Sequence, residues 1–255
     1  MKKAQPSPNS LERYPPPPAL AGQMAVVTGA SSGIGKAIAL ELAAMGARLC
    51  LLGRRQASLE EVARAGRMQN LTYEVDLAVP EEIEGFAASF ARDCGEIDLL
   101  IHSAGVIGLG GIERASVEEL DRQFCTNVRA PYVLTQALLP LLRARHGQVV
   151  FINSSAGLSA NAGSGQYAAT KHALTAIADS LRQEVNADGI RVLSVFIGRT
   201  ATPMQATVHA FEGRPYCPEK LVQPENVASL VIHALSVPRT AEVTAIHMRP
   251  FAKTD

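Results

Sequence analysis

A short apolar run, Met24-Ala25-Val26-Val27, ends in Thr28-Gly29 and gives way at once to apolar residues at helical spacing. These are Ile34, Ile38, Leu42 and Met45, with Gly46 where a helix-terminating glycine belongs. The run has no polar alternation, so it reads as a strand buried on both faces. Leu49 to Leu52 is a second such run, and the pattern repeats along the chain. Further strands are expected at Thr72–Val75, Ile97–Ile101, Val149–Ile152, Arg191–Phe196 and Val243–Met248. Helices are expected near Leu59–Ala65, Glu81–Ala91, Val117–Arg143, Tyr167–Val185 and Glu225–Leu235. Continuously apolar strands separated by helices predict an α/β, doubly wound, mainly parallel seven-stranded sheet with helices on both faces.

Pro6, Pro8 and Pro15 to Pro18 remove backbone donors and favour extended chain. Residues 1–20 are therefore expected to form a disordered or loosely draped arm, or a proline-rich ligand for a partner. Residues 21–255 are expected to form a single domain. Lys+Arg and Asp+Glu both number 24, and Trp is absent, so neither a basic footprint nor a stacking platform for nucleic acid is present. No stretch suits a bilayer span, and the first residues lack the apolar segment of a signal peptide, which predicts a cytoplasmic protein without a membrane partner. Cys50, Cys94, Cys125 and Cys217 show no zinc spacing and read as structural or idle thiols. The histidines are scattered, and no metal is expected.

The first loop, Thr28-Gly29-Ala30-Ser31-Ser32-Gly33-Ile34-Gly35, lies between a strand and a helix. In that setting Gly29 can turn the chain, Gly33 can admit an anion to the backbone, and Gly35 can let helix and sheet approach. The free N–H groups of the helix start then suit a pyrophosphate. A glycine-rich turn is often no more than a turn, but its place in the first βαβ unit favours a nucleotide; no Gly-Lys-Ser/Thr follows to make a Walker loop. The second strand ends in Gly53-Arg54-Arg55. An acidic residue there would bond a ribose 2′-OH, whereas two arginines suit a 2′-phosphate, so NADP(H) is expected over NAD(H). A solvated pair of charges is the other reading.

Tyr167 and Lys171 stand four apart on an expected helix and so share a face. An ammonium beside a phenol favours the phenolate, as a proton-exchanging group near neutral pH requires. Ser154 lies thirteen residues earlier at a strand's carboxyl end, and Asn127 in the middle of the long helix before it. With these residues the chain resembles the short-chain dehydrogenase/reductase family, in its single-domain branch, over about residues 22–250. The resemblance rests on the glycine turn, Asp76-Leu77, Asn127, Ser154, Tyr167 with Lys171, and Thr202.

The resemblance implies a Rossmann-type fold and a hydride transfer between NADP(H) and a small carbonyl or alcohol substrate. Tyr167 would be the general acid/base. Lys171 would bond the nicotinamide ribose and lower the Tyr167 pKa, Ser154 would position the carbonyl, and Asn127 would hold a water leading from Lys171. Gly29, Ser31, Ser32, Gly33, Ile34 and Gly35 would cradle the dinucleotide, and Arg54 and Arg55 its 2′-phosphate. Asp76 and Leu77 would contact the adenine, while Ala104, Gly105, Gly198, Thr200 and Thr202 complete the cofactor site with Tyr167 and Lys171.

Three departures stand out. The family's Asn-Asn-Ala-Gly is His102-Ser103-Ala104-Gly105 here, so the sheet's local bonding must differ. Its Pro-Gly is Ile197-Gly198, which restores an N–H. The usual C-terminal Asp-Gly-Gly is missing, which favours a homodimer through the helices of Asn127 and Tyr167 over a tetramer. The stretch Thr200–Leu221 is expected to cover the site, with Met204, His209, Phe211, Tyr216 and Cys217 either lining it or docking a lid. Rival functions are a 3-oxoacyl thioester reductase and a non-catalytic NADP(H)-binding regulator; no Gly-x-Ser-x-Gly elbow supports a serine hydrolase.

Overall fold

The computed structural model describes residues 20–66 and 68–251. The proline-rich arm lies outside the described residues except for Leu20, which is already packed in the core. From there the chain alternates strand and helix: β1 (Met24–Thr28), α1 (Gly33–Ala44), β2 (Arg48–Gly53), α2 (Gln56–Arg64), β3 (Leu71–Glu74), α3 (Pro80–Asp93) and β4 (Leu99–His102). The second half holds α4 (Val117–Phe124), α5 (Ala130–Arg145), β5 (Gln148–Ser154), α6 (Gly165–Val185), β6 (Arg191–Ile197), α7 (Pro203–Phe211), α8 (Pro224–Leu235) and β7 (Ala245–Met248).

The sheet order is β3-β2-β1-β4-β5-β6-β7, and every neighbouring pair is parallel. The order reverses between β1 and β4, which opens a crevice beyond their carboxyl ends, where doubly wound sheets take ligands. Successive strand residues point to opposite faces. Ala25 and Val27 thus enter one apolar layer with Ile38, Leu42, Val227 and Val231, under α1 and α8. Met24 and Val26 enter the other with Phe90, Leu134, Phe151 and Leu174, under α3, α5 and α6. Two buried layers of this kind explain why the strands lack polar alternation.

Two expected elements are refined by the structure. The single helix expected over Val117–Arg143 is broken by a π-turn at Cys125–Arg129, with Asn127 at its centre. Such turns insert a residue into the helical ladder and commonly mark functional positions. The loop-rich stretch after β6 contains α7, started by Pro203 at its first position and capped by Thr202, whose Oγ1 accepts from Gln205 N at 3.2 Å. Before α7 the chain forms a lone parallel bridge between Thr200 and Val222. Val222 N donates to Arg199 O at 3.1 Å, and Ala201 N to Val222 O at 2.8 Å. The covering segment is thereby fastened at both feet.

At the sites of departure, the bonding is specific. His102 is buried at the end of β4, with Nε2 2.8 Å from Thr135 Oγ1 and its ring stacked on Phe151. Burial pulls the imidazole down to about 3, so the ring is neutral. Thr28 Oγ1 accepts from Ser103 N at 3.0 Å and Ala104 N at 3.1 Å and donates to Ile101 O at 3.3 Å. Ile197 is the last residue of β6, in register with Ser154 on one side and Met248 on the other.

Candidate active site

The glycine turn leaves β1 against the chain that leaves β4. Gly29 has φ +65°, and a Cβ there would stand 2.8 Å from Ala104 Cα, so only glycine passes. Gly35 sits inside α1 against the turn, where a Cβ would meet Gly29 O at 2.5 Å. These approaches pin the start of α1 to the crevice. Ser32, the residue before the helix, is extended and its side chain does not cap it, and the first turn has no acid. Its N–H groups remain available to an anion, and the macrodipole adds positive potential there.

Two cavities meet at the crevice. One, of about 630 Å³, is lined by Gly29, Ser31, Ser32, Gly33, Ile34 and Gly35 from the turn, and by Arg54, Arg55, Asp76 and Leu77 from the ends of β2 and β3. Arg54 and Arg55 are both exposed, and among the described residues neither makes an ion pair. Arg122 and Thr126, from α4 and the π-turn, complete the wall. No spacing rule pointed to them; only the fold brings them there. The other cavity, of about 380 Å³, is lined by Ser154, Tyr167, Lys171, Gly198 and Thr200. The two share Ile34, Ser103, Ala104, Gly105, Thr202 and Met204, so they form one bent cleft.

Tyr167 and Lys171 lie on the buried face of α6, with Lys171 Nζ 5.8 Å from the phenol ring's centroid and donating to Ile152 O at 3.1 Å. Burial lowers the Lys171 amine to about 8. Burial also pushes the Tyr167 phenol up, partly offset by a hydrogen bond with Ser154. This differs from the expectation that Lys171 depresses the phenol: the ammonium sits over the ring, and desolvation dominates. Asn153 joins β5 to α6, its Nδ2 donating to Lys171 O at 3.2 Å and Thr175 Oγ1 at 2.9 Å while Oδ1 accepts from Ser154 N at 2.8 Å. It fixes the spacing of Ser154 and Lys171, a role the sequence reading missed.

Asn127 lines neither cavity. It is buried behind Gly105, with Oδ1 accepting from Val106 N at 2.8 Å and Nδ2 donating to Val106 O at 2.9 Å and Thr170 Oγ1 at 3.0 Å. Its amide thus ties the loop after β4 to α6, one residue from Lys171. The expected cover divides. Met204 and Phe211 line the smaller cavity, but His209, Tyr216 and Cys217 do not. His209 is buried, bonded to Gln205 O at 2.9 Å and set edge-on to Tyr216, so these two rings dock α7.

Arg199 and Glu212, which the sequence reading passed over, also line this cavity. Arg199 donates from both terminal nitrogens to the two Glu212 oxygens at 2.8 Å each. That bond holds the carboxyl below its ordinary range. Among the described residues no helix is long and apolar enough to cross a membrane, and no group of three His, Cys, Asp or Glu is placed to hold a metal ion.

The chain is similar to known proteins over most of its length. The chain is 33% identical over 229 residues to an uncharacterized oxidoreductase of Staphylococcus epidermidis, covering 89% of this chain and 97% of that one. It is 34% identical over 233 residues to an uncharacterized short-chain type dehydrogenase/reductase of Sinorhizobium fredii, with 89% and 91% covered. Among solved structures it is similar to the alcohol dehydrogenase of the archaeon Thermococcus sibiricus complexed with 5-hydroxy-NADP, at TM-score 0.83 and 26% identity, covering 91% and 98%. A short chain dehydrogenase of Shigella flexneri complexed with NADP gives TM-score 0.82 and 29% identity, covering 90% and 98%. The family model described as short chain dehydrogenase matches residues 23–213, from the strand before the glycine turn to the end of the covering helix. The chain is an oxidoreductase of the short-chain dehydrogenase family.

Proposed function

We propose that the chain is an NADP(H)-dependent reductase of small carbonyl compounds, working in reverse on the alcohols. The observation that carries this reading is the bent cleft: Ser154, Tyr167 and Lys171 line one arm, and the glycine turn with Arg54 and Arg55 lines the other. The uncapped start of α1 and the close passage at Gly29 and Gly35 fit a pyrophosphate. Arg54 and Arg55 fit a 2′-phosphate through charge-assisted, two-pronged hydrogen bonds. The NADP-bound relatives support the same choice.

When bound, NADPH supplies a hydride to the carbonyl carbon and is oxidised to NADP+. Ser154 orients the carbonyl oxygen, and Tyr167 delivers the proton that completes the new O–H bond as the C=O π bond is lost. A half-buried phenol with a raised pKa is a protonated donor at neutral pH. Lys171 offers a cation beside Tyr167 and the ribose site, and Asn127 holds the loop and α6 that carry these groups. Thr126 and Arg122 close the adenosine side.

The test is NADPH oxidation by the full chain with a panel of aldehydes, ketones and quinones, beside Tyr167→Phe. Loss of turnover by 10²-fold or more with NADPH binding kept is the expected result. Tight NADPH binding without turnover on the whole panel would instead favour the regulator. A homodimer through the helical stretches of Asn127 (α4, the π-turn and α5) and Tyr167 (α6) belongs to the same reading, supported by the exposed Tyr132 on α5 and Phe124 on α4. A monomeric mass in solution would remove it.

A further inference from the structure

The wall of the carbonyl-side cavity carries a charge arrangement that hydride transfer does not require. Arg199 immediately follows the β6–Gly198 end, and its backbone is held by Val222. Glu212 directly follows α7. Their side chains are about a quarter exposed, 29% and 25%, so the pair faces the cleft from a partly desolvated wall. A guanidinium has five N–H donors in a planar fork. The two bonds to Glu212 use one N–H on each terminal nitrogen, which leaves three donors on Arg199.

A clamp between β6 and α7 needs one cation for one acid. Here the Glu212 carboxylate also has Arg214 Nε 4.0 Å away. Two guanidiniums therefore share one carboxylate, and a unit of positive charge stays uncompensated in the trio. Lys171 is the remaining charged group in the lining, and it too is basic. The other walls add Ile107, Leu109, Met204, Val208 and Phe211. Such a cavity suits a molecule with an apolar body and an anionic end.

Resting on the reductase reading, we propose that Arg199 is the specificity-determining residue of this cavity, and that the substrate it selects carries a carboxylate. The substrate class is an oxo acid, reduced to the hydroxy acid. Its carboxylate accepts from the unused donors of Arg199, while Glu212, shared with Arg214, holds the guanidinium plane in place. Planar two-point recognition of this kind is specific to arginine, and lysine reproduces it poorly.

The probes are hexanal and 6-oxohexanoate, which match in length and differ in the terminal carboxylate. NADPH consumption by the full chain is expected to favour 6-oxohexanoate. In Arg199→Gln the ratio of kcat/KM for 6-oxohexanoate over hexanal falls roughly 30-fold, the loss of a hydrogen bond to a charged group. In Glu212→Gln, which loosens the guanidinium that Glu212 holds in plane, the same ratio falls by several fold; Arg199→Lys keeps only part of the full chain's ratio. Titration calorimetry with 6-hydroxyhexanoate reads the site without turnover. A binding heat present in the full chain and absent in Arg199→Gln upholds the carboxylate site even if no NADPH is consumed, and then only the reductase reading fails. A chain that treats the two aldehydes alike and shows no such heat, or variants that depress both aldehydes equally, would make the pair a clamp on α7 and overturn the proposal.

Discussion

Lys171 Nζ lies 5.8 Å from the ring centroid of Tyr167 and donates its hydrogen bond to the carbonyl of Ile152, so the two residues share one face of α6 without bonding to each other. The amine's burial costs the folded state energy. Its pKa is about 8 when folded and 10.5 unperturbed, so between those values the unfolded chain binds more protons and stability rises with pH. Below about pH 8 the full cost is present. Lys171→Met is therefore expected to abolish turnover yet stabilise the unliganded chain at pH 7 by about 1 kcal/mol, after the orphaned Ile152 carbonyl is counted. Thermal unfolding checks it, and the variant's advantage should shrink as pH rises from 8 toward 10.5. A less stable variant at pH 7 would contradict the account.

The phenol gives a second expectation. Burial raises the Tyr167 pKa from its ordinary value, so the proposed proton donor keeps its proton and stays neutral through neutral pH. Carbonyl reduction should be nearly flat from pH 6 to 8. Alcohol oxidation needs the phenolate and should climb steadily as the solution becomes alkaline. Initial rates in both directions check this; an oxidation optimum at or below pH 7 would show that the bound dinucleotide reverses the effect of burial.

Arg54 and Arg55 stand exposed at the end of β2 beside Gly53, on the wall of the larger cavity. Replacing both by Ala should weaken NADPH by roughly 30- to 100-fold, the scale of lost charge-assisted bonds, while NADH changes by less than about 3-fold. Fluorescence titration with the two coenzymes separates the effects. Equal losses would mean that the arginines serve the pyrophosphate or the fold.

His102 predicts an acid-labile step. Its pKa falls from 6.5 to about 3 on burial, so the unfolded chain holds the extra proton between those values. The group's contribution is complete above about pH 6.5 and drains away as pH falls toward 3, at a slope of about 1.4 kcal/mol per pH unit. His102→Asn should flatten that slope in denaturant titrations from pH 7 to 4. An unchanged slope would place the acid sensitivity elsewhere.

Much of this molecule could be read along the chain, because the decisive signals are local. Met24 to Val27 and Leu49 to Leu52 are apolar on every residue because helices cover both faces, and the glycine turn sits where a strand meets a helix. Tyr167, Lys171 and Ser154 were visible as spacing on a helix and a strand end. Arg122, Asn153, Arg199 and Glu212 were not, since each acquires its meaning from a neighbour distant in sequence or across a loop. Pro203 marks the start of α7, yet the stretch read as loop because Gly198 before it and Gly213 and Pro215 after it flank a helix of only nine residues. His102 shows the converse: its departure from the family pattern was plain, but only the stack on Phe151 and the bond to Thr135 show how the sheet accommodates it.

The bridge between Thr200 and Val222 separates two jobs that one polypeptide must perform. The strand ends below it carry Ser154 and Gly198, and the arc it closes brings Met204, Val208 and Phe211 to the same cavity. Substitutions and length changes confined to that arc are therefore expected to remodel its share of the cavity wall while leaving Ser154, Tyr167 and Lys171, which stand on β5 and α6, in place.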